Sequence, residues 1–353
     1  MKVIVAMSGG VDSAVCAYLV GKDHEALGVT MRLHDASDNL IYGENSCCSD
    51  QDIADDKSVC NILGIPHEVH DFGAEFRNCV ISDFINCYKC GSTPNPCVVC
   101  NRKIKFEKLL QMAMERGYDA IATGHYARIE KGENGRFLLK KAVDETKDQS
   151  YVLYSLTQKQ LAHTLFPLGS MSKADARDMA ESMGFINARK RDSQDICFIP
   201  DGDYTSFIKR ITGEDFPKGN FIDLNGNILG THEGIIKYTI GQRKGLGLAL
   251  GEPMYVVEKD IESNTVKLAR NSELFKTTLT ANNINLISCE KIDAPIKVKA
   301  KIRYNQKEQP ATVEQISKDR IKVVFDEPQR AITKGQSIVL YDGDVVVGGG
   351  IIE

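Results

Sequence analysis

The spacing of apolar and polar residues changes character several times along the chain. Val3-Ile4-Val5, after Lys2, is a β-branched run of the length of one buried strand. Residues 14–20 follow with apolar side chains at i, i+3 and i+4, the stripe of an amphipathic helix. Residues 26–31 predict a second buried strand. Residues 50–63 predict a helix with Ile53, Cys60 and Leu63 on one face, and residues 66–70 a third strand. A helix over 72–88 turns Phe76, Val80, Phe84 and Ile85 inward. Pro94 and Pro96 flank Asn95 and predict a rigid loop that excludes helix. Asn101 then caps a basic amphipathic helix over 102–116, with Ile104, Leu109, Met112 and Ala113 available for packing. Residues 119–123 predict another buried strand. Strands alternating with helices in this way predict an α/β domain with a doubly wound parallel sheet.

Thr157-Gln158-Lys159-Gln160 and Ser172-Lys173-Ala174-Asp175 have the spacing of capping boxes and predict two more helices. Residues 191–200 predict a loop and a strand. From about residue 203 helical periodicity gives way to short strands and turn signals, among them an Asn225-Gly226 hairpin turn. A glycine-rich connection occupies 238–251. Strands over 296–304, 320–325 and 337–341 predict a small antiparallel β-barrel at the C-terminus. The expected domains are 1–202, a small central domain over 203–276, and the barrel over 277–353.

Composition narrows the class without choosing a partner. The chain has 353 residues, 42% hydrophobic and 26% charged, ordinary for a globular protein with two or three cores. A net charge of −4 argues against a protein that binds nucleic acid by bulk charge. An RNA partner would have to be held by local clusters such as Arg102-Lys103-Ile104-Lys105, Arg189-Lys190-Arg191, Arg243-Lys244 and 297–303. Eleven cysteines, an odd number without a secretory leader, argue for a reducing cytoplasm. No run is long enough to span a membrane, and no membrane partner is expected.

Chemistry concentrates first at Ala6-Met7-Ser8-Gly9-Gly10-Val11-Asp12-Ser13. A strand, a glycine pair, then Asp and Ser at a helix start give the geometry of a phosphate cradle. Neither a Walker A loop nor G-x-G-x-x-G is present. Cys87-x-x-Cys90 and Cys97-x-x-Cys100 form a second concentration, open to a zinc-site reading or to reactive thiols. At the start of a basic helix Cys100 is expected to have a lowered pKa, and Cys197 follows the electropositive 189–191. Cys16, Cys60 and Cys79 fall on packing faces. His67 and His70 have the wrong spacing for one strand face and are not read as a metal pair.

The string S-G-G-x-D-S resembles the pyrophosphate-binding (PP) loop of ATP pyrophosphatases. Further motifs are Thr93-Pro94-Asn95-Pro96-Cys97-x-x-Cys100-Asn101, Ala122-Thr123-Gly124-His125-Tyr126, Lys147-Asp148-Gln149-Ser150-Tyr151, Asp192-Ser193-Gln194-Asp195-Ile196-Cys197-Phe198-Ile199 and Tyr238-Thr239-Ile240-Gly241-Gln242-Arg243. Together they resemble the tRNA-specific 2-thiouridylases, and the resemblance runs in order from residue 3 to Gly350. That resemblance implies adenylation of the C2 oxygen of a wobble uridine by ATP with Mg²⁺. It further implies replacement of that oxygen by persulfide sulfur, delivered by a cysteine desulfurase or sulfur-relay protein. The implied ATP contacts are Ala6, Met7, Ser8, Gly9, Gly10, Val11, Asp12, Ser13, Met31 and Gly124. Cys100 is the implied nucleophile and Cys197 the implied persulfide carrier, with no metal assigned. Asn95, Pro96 and Cys97 are implied to touch the base. His125, Lys147, Asp148, Gln149, Arg303, Tyr304 and Gln336 are implied to contact tRNA. Two readings compete: another adenylating enzyme, such as an amide or guanidine synthetase, and a zinc-containing RNA-binding protein without catalysis.

Overall fold

A computed structural model describes residues 1–33, 49–190 and 196–353. Five strands form the first sheet: β1 (Lys2–Met7), β2 (Glu25–Arg32), β3 (His67–Asp71), β4 (Ala120–Ala122) and, after the β5–β6 hairpin (Ala127–Lys131, Phe137–Lys141), β7 (Thr164–Leu165). Their order is β3-β2-β1-β4-β7, all parallel. The chain runs outward from β1 through β2 and β3, then returns to lay β4 on the other side of β1. That reversal leaves a crevice at the C-terminal ends of β1 and β4, where sheets of this kind take ligands.

Both faces of the sheet are covered, and the period of two in β1 divides its side chains between them. Val3, Val5 and Met7 pack with α1 (Val11–Asp23) and with Ala176 and Ala180 of the helix Lys173–Ser182. Ile4 and Ala6 pack on the other face with Phe76, Val80, Phe84 and Ile85. Those four are inward as the periodicity predicts, on a helix that runs from Gly73 to Lys89 through a π-wound stretch at Arg77–Ile81. The predicted helix over 50–63 is α2 (Asp50–Leu63). Both predicted capping boxes form, at Thr157 and at Ser172.

Two expectations need correction. The Pro94-Asn95-Pro96 stretch does not exclude helix at its end: Pro96 is the first residue of the helix Pro96–Cys100, which continues through Asn101–Lys108 to Glu115. A proline at the first helical position gives up an N–H that has no intrahelical partner, so it costs nothing there. The cap is therefore Asn95, whose Oδ1 accepts from Val98 N at 3.4 Å, and Asn101 lies inside the helix. The predicted strand before Pro200 is also absent. Ile196–Pro200 is a turn, held by Ile199 N donating to Ile196 O, and Phe198 is plugged between Phe76, Phe84 and Phe207.

The helix Tyr204–Thr212 leads into a four-stranded sheet of order β10-β11-β8-β9, made of β8 (Gly219–Ile222), β9 (Ile228–His232), β10 (Tyr255–Asp260) and β11 (Thr265–Ala269). Asn225-Gly226 turns β8 into β9 as its sequence predicts, with Gly226 at φ +85°. The last strands are β12 (Phe275–Leu286), β13 (Ile296–Lys301), β14 (Gln309–Ser317), β15 (Arg320–Arg330), β16 (Ser337–Asp342) and β17 (Val345–Ile352). They follow the order β12-β15-β14-β13-β16-β17, and β17 pairs back on β12 to close the barrel. The periodicity alone does not reveal that β5 and β6, from the first domain, extend the barrel sheet beyond β17.

Candidate active site

The Ser8–Ser13 loop leaves β1 at the crevice and enters α1. Gly9 has φ +70°, and a Cβ on it would collide with the Asp52 carboxylate, so glycine is required twice over. Gly9 N donates to Asp56 Oδ1 at 2.9 Å. Asn187 Nδ2 donates to the carbonyls of Gly9 and Gly10, at 3.2 Å each. Ser13 Oγ returns to Gly10 O at 2.9 Å and accepts from Ser8 N. Ala6, Met7 and Val11 are buried, so only their backbone is available to a ligand. Met31 is 4% exposed near the end of β2. Gly124 follows β4, and a Cβ there would come within 2.7 Å of the Asp12 backbone carbonyl carbon. Its smallness lets the β4 turn close on the loop.

Charged groups surround this loop. Lys173 Nζ lies 2.8 Å from both oxygens of Asp12, and Tyr126 donates its hydroxyl to Asp12 Oδ1 at 2.9 Å. Lys173 is the first residue of its helix and only 7% exposed. A cation at the positive end of a helix is unfavourable locally, so the Asp12 partner is what holds it there. On the other side α2 brings three buried carboxylates, Asp52 and Asp56 against Gly9 and Asp55 beside them. Lys190 Nζ answers two of them, at 2.6 Å from Asp52 and 3.0 Å from Asp55. Asp56 accepts from Thr30 Oγ1 at 2.8 Å, and Thr30 meets His67 Nε2 at 2.8 Å. Burial pushes the Asp56 carboxyl up to about 7 despite those two hydrogen bonds. None of Asp52, Asp55, Asp56, Lys173, Asn187 or Lys190 stands out by motif. Two of them carry weaker signals: Lys190 lies in the basic cluster 189–191, and Lys173 is a lysine directly after a capping serine, where the helix dipole disfavours it.

The second concentration is the cysteine helix. Cys97 is exposed and Cys100 half-buried, one turn apart on Pro96–Cys100. The preceding loop is docked on the barrel. Thr93 N donates to Lys334 O at 2.8 Å, and Gln336 Nε2 donates to Thr93 O and Pro94 O at 3.0 Å each. A Cβ on Gly335 would sit 2.9 Å from Ser92 Cβ and from Thr93 O. Tyr304 donates its hydroxyl to Asp148 O at 3.2 Å, and its phenol is pushed up by burial and then by Asp148 and Cys97. Arg303 donates to Ala331 O and Thr333 Oγ1. Asp148 accepts from Ala142 N and Ser150 Oγ, while Gln149 exchanges hydrogen bonds with the Tyr126 backbone. Lys147 is half-buried beside them. Tyr304, Asp148, Cys97 and the Gln336-held loop therefore form one neighbourhood. His125 does not join it: 9% exposed, it packs on Phe106 and Phe166, and burial holds its imidazole well below its ordinary pKa.

Cys197 is half-buried on the turn anchored by Phe198, while Arg191 and the Asp192-Ser193-Gln194-Asp195 part of its motif lie outside the described residues. Burial pushes the Cys60 thiol up to about 12 and raises Cys16 further, as their packing faces predict. Burial and Asp83 likewise push Cys87 up to about 11. His67 and His70 have other partners, Thr30 and Glu68. Among the described residues no three His, Cys, Asp or Glu side chains are grouped to hold a metal ion, and no helix is long and apolar enough to cross a membrane.

A parallel sheet with a glycine-turned strand-to-helix loop at its switch point, followed by two β domains, is the architecture of a nucleotide-using α/β enzyme with appended β domains. Family comparison specifies it. Residues 1–201 match the tRNA methyl transferase HUP domain, 205–270 the tRNA methyl transferase PRC-barrel domain, and 276–352 the aminomethyltransferase beta-barrel domain. The tRNA-specific 2-thiouridylase MnmA of Clostridioides difficile is 50% identical over 100% of this chain and 98% of its own. That of Acetivibrio thermocellus is 50% identical over 100% and 99%. MnmA 1 of Caldanaerobacter subterraneus is 52% identical over 100% and 98%. The chain belongs to the tRNA-specific 2-thiouridylase family.

Proposed function

We propose that this chain is an ATP-dependent tRNA sulfurtransferase that converts a wobble uridine to 2-thiouridine. The observation that carries the reading is the Ser8–Ser13 anion cradle in a chain matching 2-thiouridylases from end to end. In this reading residues 1–202 carry catalysis, 203–276 form the central domain and 277–353 bind tRNA. Methyl transfer, the reaction in two of the matching domain descriptions, needs neither a phosphate cradle nor a pair of thiols.

The uracil C2 oxygen attacks the α-phosphorus of ATP, and pyrophosphate leaves. Backbone N–H groups of the cradle, with Ser8 and Ser13, hold the departing phosphates where charge develops. Asp12, a hard oxygen donor about one-third exposed at the lip of the cradle, fits Mg²⁺ carried on those phosphates. Bound there, the ion would neutralise phosphate charge. Cys197 carries the sulfur as a persulfide supplied by a desulfurase or relay protein. Its terminal sulfur attacks C2, and AMP departs with the old oxygen. The Cys100 thiolate then attacks the Cys197 Sγ, leaving the thiocarbonyl on the base and a Cys100–Cys197 disulfide, which an external thiol must reduce. Asn95, Pro96 and Cys97 meet the flipped base, a small cost in a single-stranded loop.

A single turnover tests this scheme. Persulfide-loaded, chelator-treated protein resupplied with Mg²⁺, ATP and unmodified tRNA should give one thiolated tRNA and one Cys100–Cys197 disulfide. Cys197→Ser should still release pyrophosphate and transfer no sulfur. Inert chelated protein that iron and sulfide revive would replace the relay with cluster chemistry on Cys97, Cys100 and Cys197.

A further inference from the structure

Asn187 belongs to no motif, yet it is 2% exposed and touches the cradle at both glycines. Its two partners are both carbonyl oxygens, so the amide can face them only through Nδ2. Oδ1 then points away, buried and without a hydrogen bond. In a planar trans peptide the N–H points opposite to the C=O. Drawing Gly9 O outward to Asn187 therefore turns the Gly10 N–H inward. Drawing Gly10 O the same way does so for Val11 N–H. Gly10 O is also held by Ser13 Oγ at 2.9 Å and by Ala14 N at 3.2 Å, whereas Gly9 O has Asn187 as its partner among the described residues. The preceding N–H, that of Gly9, is already committed to Asp56. The donors left for an anion include Gly10 N–H and Val11 N–H, neither of which has a protein acceptor among the described residues, beside the Asp12 and Ser13 N–H groups of the first helical turn.

Resting on the reading of this loop as an ATP site, we propose that Asn187 is a positioning residue that aims the Gly10 and Val11 N–H groups at the nucleotide's phosphates. It acts from behind the loop and touches no ligand. Lys190, three residues on, supports the same task by charge. It pairs with Asp55 and with Asp52, a carboxylate that would otherwise stand unscreened against Gly9 and repel the phosphates.

The test compares ligands that differ in phosphate content, measured by calorimetry on the full chain. Wild type should bind ATP and inorganic pyrophosphate. Asn187→Ala should bind both about tenfold more weakly or worse, since two charge-assisted hydrogen bonds lose their aim. Its affinity for adenosine should stay near the wild-type value. An equal loss for adenosine and ATP, or no loss for either, would overturn the proposal. Failure of wild type to bind ATP at all would instead remove the ATP-site reading.

Asn187→Asp keeps the shape and gives an answer even where the alanine variant misfolds. As a carboxylate it repels both carbonyls, and as a carboxylic acid it can donate to one. The charged groups at the loop it holds and in that loop's ion pairs are Asp52, Asp55 and Asp56 from α2, Lys190 from its own segment, Asp12 from α1 and Lys173 from the adjoining helix. Its pyrophosphate affinity, relative to wild type, should recover as pH is lowered from about 8.5 to about 6. A ratio that stays flat across that range would overturn the aiming role.

Discussion

Asp56 joins the phosphate loop to the rest of the domain through a buried carboxyl. Its folded pKa, about 7, lies above the ordinary carboxylate value of about 4. Folding therefore takes up a proton between those values, and stability contributed by this group falls as pH rises through that window. Asp56→Asn keeps an acceptor for Gly9 N and removes the charge, so its melting temperature relative to wild type should climb between about pH 5 and about pH 8. A constant difference in thermal melts at the two pH values would reject the buried-charge account. At this scale the sequence exposed the residues that carry motifs and concealed those that support them. Asp52, Asp55 and Asp56 fall unremarked in the helix predicted over 50–63, and Lys190 in a basic cluster. They become a partly buried ion network only because the loop after β1 and α2, far apart in sequence, meet at Gly9.

Elements were legible where their signals are local. The boxes at Thr157 and Ser172, the Asn225-Gly226 turn and the inward stripe from Phe76 to Ile85 each need only neighbouring residues. The helix at Pro96 is hidden because two prolines flank Asn95, whereas Pro96 occupies the one helical position that accepts it. The β5–β6 hairpin went unseen because its partner strand, β17, lies some 200 residues on (Lys140 pairs with Val345). The docked Thr93-Pro94 loop yields a prediction at the same scale. Gly335 has φ +88° and no room for a Cβ, so Gly335→Ala must push this loop off the barrel. Thiolated tRNA formed per pyrophosphate released should then fall about tenfold or more, as misplaced reacting groups do. Unchanged coupling in that variant would mean the docking is incidental to the chemistry.

Across the whole molecule the barrel and the catalytic domain are built into one another. Asn285 Nδ2 donates to Tyr154 O and Leu156 O at 2.8 and 2.9 Å, Tyr151 donates to Ser337 O at 2.8 Å, and Arg128 meets Asp344 at 2.6 Å. A tRNA loop entering between Tyr304 and the cysteine helix would meet groups from both domains at once. Two barrel residues there have different electrostatic roles. Among the described residues Arg303 presents a charge held only by neutral acceptors, Ala331 O and Thr333 Oγ1, so its cation stays available to a phosphate. Gln336 is neutral, and its donors are spent on the Thr93 and Pro94 carbonyls. Arg303→Ala should weaken tRNA binding and reduce the slope of log K against log salt by about 0.7 to 0.9, one counterion. Gln336→Ala should leave that slope unchanged while lowering thiolation, because it loosens the loop before Cys97 and removes no charge. Filter binding across a salt series, run beside the thiolation assay, separates the two. Parallel slopes for wild type and Arg303→Ala would take Arg303 out of the phosphate contacts. A reduced slope for Gln336→Ala would mean that the docked loop itself sets how many phosphates the protein meets.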